Sequence, residues 1–267
     1  MVRIEKNGPV WTVIHSRYEE ARNAMDPESA DALTEAFTAF DRDDSASVAV
    51  FWGEGGAFCA GWDLKHASSL ASGPRPLADL DYPVDPLKPV PRGPMGPSRL
   101  QLSKPVIAAV EGPAVAGGFE LALWCDLRVM AETAYFGVYC RRWGIPLIDG
   151  GTVRLPRLVG QGRALDIILT GRKVSAQEAL SIGACERVVP HGQARAAAED
   201  LAAQIARFPQ DCVRADRRSV YLQQGLQMDA ALQTEWHNGQ DCLSAEGLAG
   251  AARFAGGKGR HGDFSSL

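Results

Sequence analysis

The sequence predicts an α/β fold whose last third is helical, on three observations. An apolar strand, a glycine-rich loop and a helix start follow one another twice, first around GEGGAFCAGWD and again around EGPAVAGG. An alternating hairpin opens the chain ahead of them. Beyond Gly171 helical patterns dominate, so strand–loop–helix units fill the first two thirds and helices the rest.

In order along the chain, residues 2–6 and 10–14 alternate apolar and polar around Asn7-Gly8, a strong hairpin signal. The first helix is expected from Asp26 as N-cap with Pro27 in its first position, since Leu33, Phe37 and Phe40 then recur at helical spacing. Residues 47–52 read as a short apolar strand. Residues 68–104 hold eight of the 16 prolines and no clear periodicity, which predicts a mobile flap rather than a linker, because apolar structure resumes directly afterwards. Residues 105–110 suit a buried strand, 119–124 a short buried helix, and 127–130 another strand. Ser175 with Glu178 three residues on is a capping-box signature. Helices are expected over 192–208, 211–225 and 228–252.

Composition narrows the function classes. The 267 residues carry 28 Lys and Arg against 32 Asp and Glu, a net charge of −4. That balance argues against a nucleic-acid partner, which selects a basic face. No apolar run reaches membrane-spanning length; the longest candidate, 105–124, is broken by Glu111, Glu120 and several Gly and Pro. MVRIEKNGPV lacks the apolar core of a signal peptide, so a cytoplasmic location without membrane attachment is expected. The six cysteines at 59, 125, 140, 185, 212 and 242 show no C-x-x-C spacing and are expected to be free thiols. The five histidines do not cluster and H-E-x-x-H is absent, so no metal site is expected.

Neither glycine loop is a full dinucleotide fingerprint, and no phosphate-binding G-x-x-x-x-G-K-[ST] occurs. A nucleotide-dependent oxidoreductase is therefore excluded. The loops either make tight turns or present backbone N–H groups at a helix start to a developing oxyanion. Glu120, between Phe119 and Leu121, is costly to bury unless paired or used. It is either a satisfied core carboxylate or a general acid/base.

Four blocks resemble the enoyl-CoA hydratase/isomerase (crotonase) superfamily: GEGGAFCAGWDLKHA (53–67), KPVIAAVEGPAVAGGFELALWCDLRVMA (104–131), AYFGVYCRRWGIPLIDGGTVRLPRLVG (134–160) and LTGRKVSAQEALSIGACERVVP (169–190). They occur in order, and the match spans roughly residues 1–260; 68–103 does not align. The resemblance implies a spiral of ββα units over 1–190, with 68–103 as a flap. It implies a helical region over 191–267 that covers coenzyme A and makes a homotrimer or a dimer of trimers. It also implies an acyl-CoA thioester substrate and no cofactor beyond the coenzyme A carried by that substrate.

Residue by residue, the resemblance places oxyanion donors at the N–H groups of Trp62 and Gly117, although Trp62 also fits an ordinary buried aromatic. Glu120 stands at the position of the family's first catalytic Glu. The second should fall at Cys140, where a thiol cannot replace a carboxylate. No His is placed to make Cys140 a nucleophile. Asp149, just before Gly150-Gly151, is the alternative second acid, or else a cap for a helix starting near Gly151. For coenzyme A, the family suggests Arg22, Ala24, Ala57, Ala60, Asp63, Lys65, Lys258 and Arg260; each charged one also fits a solvated surface. The leading expectation is a 2-enoyl-CoA hydratase. The alternatives are an enoyl-CoA isomerase using Glu120 alone, or a non-catalytic acyl-CoA binding protein.

Overall fold

The computed structural model describes residues 1–70, 77–259 and 261. The hairpin pairs β1 (Val2–Asn7) with β2 (Val10–His15), from Val2 opposite His15 to Asn7 opposite Val10. Gly8 turns it at φ 56°, a region that glycine enters without a Cβ penalty. A single turn, α1 (Tyr18–Ala21), not foreseen from the sequence, precedes α2 (Pro27–Arg42). The Asp26 carboxylate caps α2 by accepting from Ser29 N at 2.8 Å, and Leu33, Phe37 and Phe40 are fully buried.

β3 (Val48–Gly53) lies parallel to β2, and α3 (Leu64–Ser69) follows the first glycine loop. After β4 (Val106–Val110) the chain leaves the large sheet through β5 (Pro113–Val115) into α4 (Gly117–Trp124). It returns by β6 (Leu127–Ala131), leaves again at β7 (Tyr135–Gly137), and passes a short 3-10 turn, Tyr139–Trp143. Then come α5 (Gly151–Val159), α6 (Gln161–Thr170), β8 (Lys173–Ser175), α7 (Ala176–Ile182) and β9 (Arg187–Val189). Ser175 caps α7 as expected, its Oγ accepting from Glu178 N, while the Glu178 carboxylate pairs with Arg172 rather than closing the box. The helical region is α8 (Ala194–Ala206), α9 (Gln210–Leu222), α10 (Met228–Cys242), a π turn at Leu243–Gly247, and α11 (Leu248–Ala255).

The large sheet has the order β1-β2-β3-β4-β6-β9, parallel from β2 onward; a smaller one has the order β5-β7-β8. Alternate residues of the large sheet face opposite sides. Val48, Val50, Ile107 and Val129 pack on Ala198, Leu201 and Ala202 of α8. Phe51 and Phe58 join Phe37, Phe40 and Trp124 on the other side. Helix α4 therefore starts where the chain crosses from the large sheet to the small one.

Two expectations are corrected. The second half of the expected flap is an inner wall: residues 93–98 are buried, with 3-10 turns at Ala78–Leu80 and Pro97–Arg99 on either side of the intervening loop. Asp149 does not cap α5. The N-cap is Gly150, with no side-chain bond, and the Asp149 carboxylate turns to the 93–98 wall instead. On the C-terminal helices Leu226, Leu232 and Trp236 are exposed. All six cysteines are free, and among the described residues no helix is long and apolar enough to cross a membrane.

Candidate active site

The two glycine-rich loops pack backbone to backbone. A Cβ on Gly118 would come within 2.1 Å of the Cys59 carbonyl oxygen, and one on Gly61 within 2.8 Å of the Ala116 Cβ and 3.2 Å of Gly117 N. These glycines serve close approach as well as turning. Ala116, the residue before α4, has φ 54° and ψ −125°, a strained setting for a residue with a Cβ. Its N–H donates to Gly137 O at 2.8 Å, which ties the start of α4 to β7. The Gly117 N–H falls in the first turn of α4, where no helical carbonyl is available to it. On the facing loop, Gly61 O accepts from Met25 N at 2.7 Å, and Asp63 N donates to Met25 O at 2.8 Å. The intervening Trp62 N–H therefore points away from Met25.

Trp62, Gly117, Glu120, Cys140 and Asp149 line one cavity of about 180 Å³. Tyr139, Trp143, Ile145, Pro146 and Ile148 give it largely apolar walls. A second, more open apolar space of about 410 Å³ adjoins it and shares Trp62, Leu64, Trp143 and Ile145.

The two acids are held alike. Glu120 is 2% exposed, and its Oε1 accepts from Asp149 N at 2.9 Å and Gly151 N at 2.8 Å. Asp149 is 4% exposed; its Oδ1 accepts from Met95 N at 3.0 Å and from Ser98 Oγ in a short bond. Each carboxylate thus has one oxygen fixed by two donors, and none of these four bonds uses Oε2 or Oδ2. Burial, then the neighbouring Asp149 charge, push Glu120 up to about 7, against the pull of the two N–H donors. Burial also raises Asp149, opposed by Ser98 and by Met95 N–H. The Cys140 thiol is raised by burial and by the charge of Glu120.

Of the residues expected around coenzyme A, Arg22, Ala24, Ala57 and Ala60 sit together. Asn23, fully buried between them, accepts from Arg17 N at 2.7 Å and donates to Glu54 O and to Ala57 O at 2.8 and 2.7 Å. Ala60 N donates to Arg22 O at 3.2 Å, and Ala60 reaches the cavity. The Arg22 and Lys65 side chains are exposed. Asp63 belongs to the scaffold: its Oδ1 caps α3 through Lys65 N and His66 N, and its Oδ2 pairs with Arg17 at 2.8 Å. Lys258 is exposed beyond α11, outside the cavity lining, and Arg260 lies outside the described residues. Sequence reasoning missed Arg17, Met95, Ser98 and Arg154. Their only sequence signal was polarity or a proline-rich setting, and each acts on a partner outside its own element.

The enoyl-CoA hydratase/isomerase family model matches residues 10–255. The chain belongs to the enoyl-CoA hydratase/isomerase family. It is 37% identical over 224 residues to enoyl-CoA hydratase EchA19 of Mycobacterium tuberculosis, covering 81% of this chain and 79% of the relative. It is 39% identical over 206 residues to a carnitinyl-CoA dehydratase of Salmonella typhimurium, covering 76% and 74%. Among solved structures, enoyl-CoA hydratase EchA1 from Mycobacterium marinum superposes with a TM-score of 0.84 at 29% identity, over 95% of each chain. The crotonase-like fold expected from the four blocks is thus the fold of this enoyl-CoA hydratase/isomerase family member, and its C-terminal region is helical.

Proposed function

We propose that the protein catalyses the reversible addition of water to a 2-enoyl-CoA thioester, with Glu120 and Asp149 as its acid–base pair. One observation carries this reading: two buried carboxylates line one cavity, each anchored through one oxygen and with the other uncommitted. In this mechanism the thioester oxygen accepts from the Trp62 and Gly117 N–H groups, which stabilise the enolate as it forms. Asp149 takes a proton from water while the water oxygen bonds to C3. Glu120, able to hold a proton near neutral pH, delivers it to C2, where the enolate electron pair forms the new C–H bond. The product gains hydroxyl at C3 and hydrogen at C2, and transfer of the proton from Asp149 to Glu120 resets the pair. Cys140, a neutral thiol, takes no part as base or nucleophile.

The apolar walls and the adjoining space suit an acyl chain. We place coenzyme A along the Arg22, Ala24, Ala57, Ala60 and Lys65 side, arriving as part of the substrate with no separate cofactor. The exposed Leu226, Leu232 and Trp236 support a trimer or dimer of trimers built through the C-terminal helices. Free thiols support a reducing, cytoplasmic setting.

The test is to incubate the protein with crotonyl-, 3-enoyl- and branched 2-enoyl-CoA and follow products by mass spectrometry. The expected result is a 3-hydroxyacyl-CoA, heavier by one water, from at least one 2-enoyl substrate. Migration of the double bond in the 3-enoyl substrate, with no water gained by any, would instead identify an isomerase using Glu120 alone.

A further inference from the structure

The inference concerns what holds the second carboxylate, and it rests on the role just given to Asp149. Asp149 and Ser98 are 51 residues apart in sequence and meet in the interior, where Ser98 is 2% exposed. The turn carrying Ser98 is built around that contact. Gly93 and Gly96 bond reciprocally, N–H to O, at 3.0 and 2.9 Å. A Cβ on Gly93 would fall 1.9 Å from Ser98 Oγ and 2.5 Å from Asp149 Oδ1, so only a bare Cα fits against the pair. A Cβ on Gly96 would fall 2.7 Å from Ala30 O, which seats the turn on α2. From the other side the Arg154 guanidinium bridges the two main chains, Nη1 donating to Asp149 O at 2.8 Å and Nη2 to Ser98 O at 2.7 Å. Gly150 leaves room for that guanidinium: a Cβ there would come within 2.1 Å of Nη1.

We propose that Ser98 is a positioning residue for catalysis: its hydroxyl, with the Met95 N–H, fixes Oδ1 of Asp149 so that Oδ2 is presented to the substrate water as an ionised base. Arg154 and the bare Cα of Gly93 keep Ser98 at bonding distance. The charged and titratable groups acting on Asp149 come from several elements: Glu120 of α4, Arg154 of α5, Arg99 of the Pro97–Arg99 turn, and Cys59 of the first glycine loop. Two arginines and the Ser98 hydroxyl oppose the burial that favours the protonated acid. Loss of the hydroxyl leaves the arginines in place and removes the donor that touches the carboxylate itself.

The test compares kcat and KM against pH for the wild type, Ser98→Ala, Ser98→Thr and Asp149→Asn on one short 2-enoyl-CoA. A hydrogen bond to a charged group is worth a shift of about one pH unit or more. Removing a donor to the carboxylate raises its pKa, so the acid limb of kcat for Ser98→Ala should move up by about one pH unit. At the foot of that limb kcat should fall about tenfold, KM should change by less than about twofold, and Ser98→Thr should return the limb toward wild type. Thermal unfolding of Ser98→Ala establishes that the variant is folded. An unmoved acid limb in a folded Ser98→Ala, alongside an inactive Asp149→Asn, overturns the role of Ser98 and leaves that of Asp149 standing. Full activity of Asp149→Asn overturns the role of Asp149 itself, and with it this inference.

Discussion

Replacing Asp149 with Asn should lower the hydration rate by about 10²–10⁴-fold, the range for loss of a general base, while binding of the acyl-CoA persists. Asn keeps the shape, and its carbonyl can still accept from Met95 N and Ser98 Oγ, so the wall at 93–98 stays in place. What is lost is the oxygen that accepts a proton from water. The same change removes the charge that helps to push Glu120 up, so Glu120 should titrate lower in the variant. Cys140→Ala is the matched control, because a buried, neutral thiol contributes no proton transfer; its rate should stay close to wild type. Initial rates on crotonyl-CoA, with acyl-CoA affinity measured separately, check both variants.

Glu120→Gln should cost a similar factor in turnover, about 10²–10⁴-fold, and should also raise stability at alkaline pH. Its amide oxygen can keep the bonds from Asp149 N and Gly151 N, but no proton can be delivered to C2. The stability effect follows from burial. Glu120 titrates at about 7 in the folded chain and near its ordinary value of 4.5 when unfolded. Between those values the folded state binds more protons than the unfolded one, so stability falls as pH rises through that window. The gap corresponds to about 3 kcal/mol at pH values above the folded pKa. Gln cannot ionise and escapes this loss. Wild type and variant melting curves at pH 5 and pH 8 should therefore differ most at pH 8, with the variant the more stable. A wild type that melts at the same temperature relative to the variant at both pH values would contradict the buried-acid account.

Local patterns made much of the fold legible. Asn7-Gly8 specified the hairpin, Asp26-Pro27 the start of α2, and Ser175 the start of α7, because turns and caps are set by neighbours in sequence. The small sheet was not legible: β5, β7 and β8 each span three residues, too short for alternation to register. Helix α5 was obscured by Pro156 and by its glycine-rich start. At the site, Glu120 was marked by a charge inside an apolar helix and Asp149 by its place before two glycines. The partner of Asp149 was hidden, since Ser98 lies in a proline-rich stretch without periodicity and meets it only through tertiary packing. Burial of that stretch also explains the error of reading it as a flap: its prolines and glycines shape a tight inner turn. Asp63 likewise read as a ligand contact from its motif, yet the Arg17 pairing that occupies it comes from a distant loop.

The central claim is that Glu120 and Asp149 act as one unit on one substrate, and a double-variant cycle tests it most directly. Hydration rates are measured for the wild type, Glu120→Gln, Asp149→Asn and the double variant under one set of conditions. Groups that work as a unit lose their effect together once either is removed. The double variant should then be within about tenfold of the slower single variant. If the losses instead multiply, so that the double variant falls by the product of the two single factors, the carboxylates act independently and the paired mechanism is wrong.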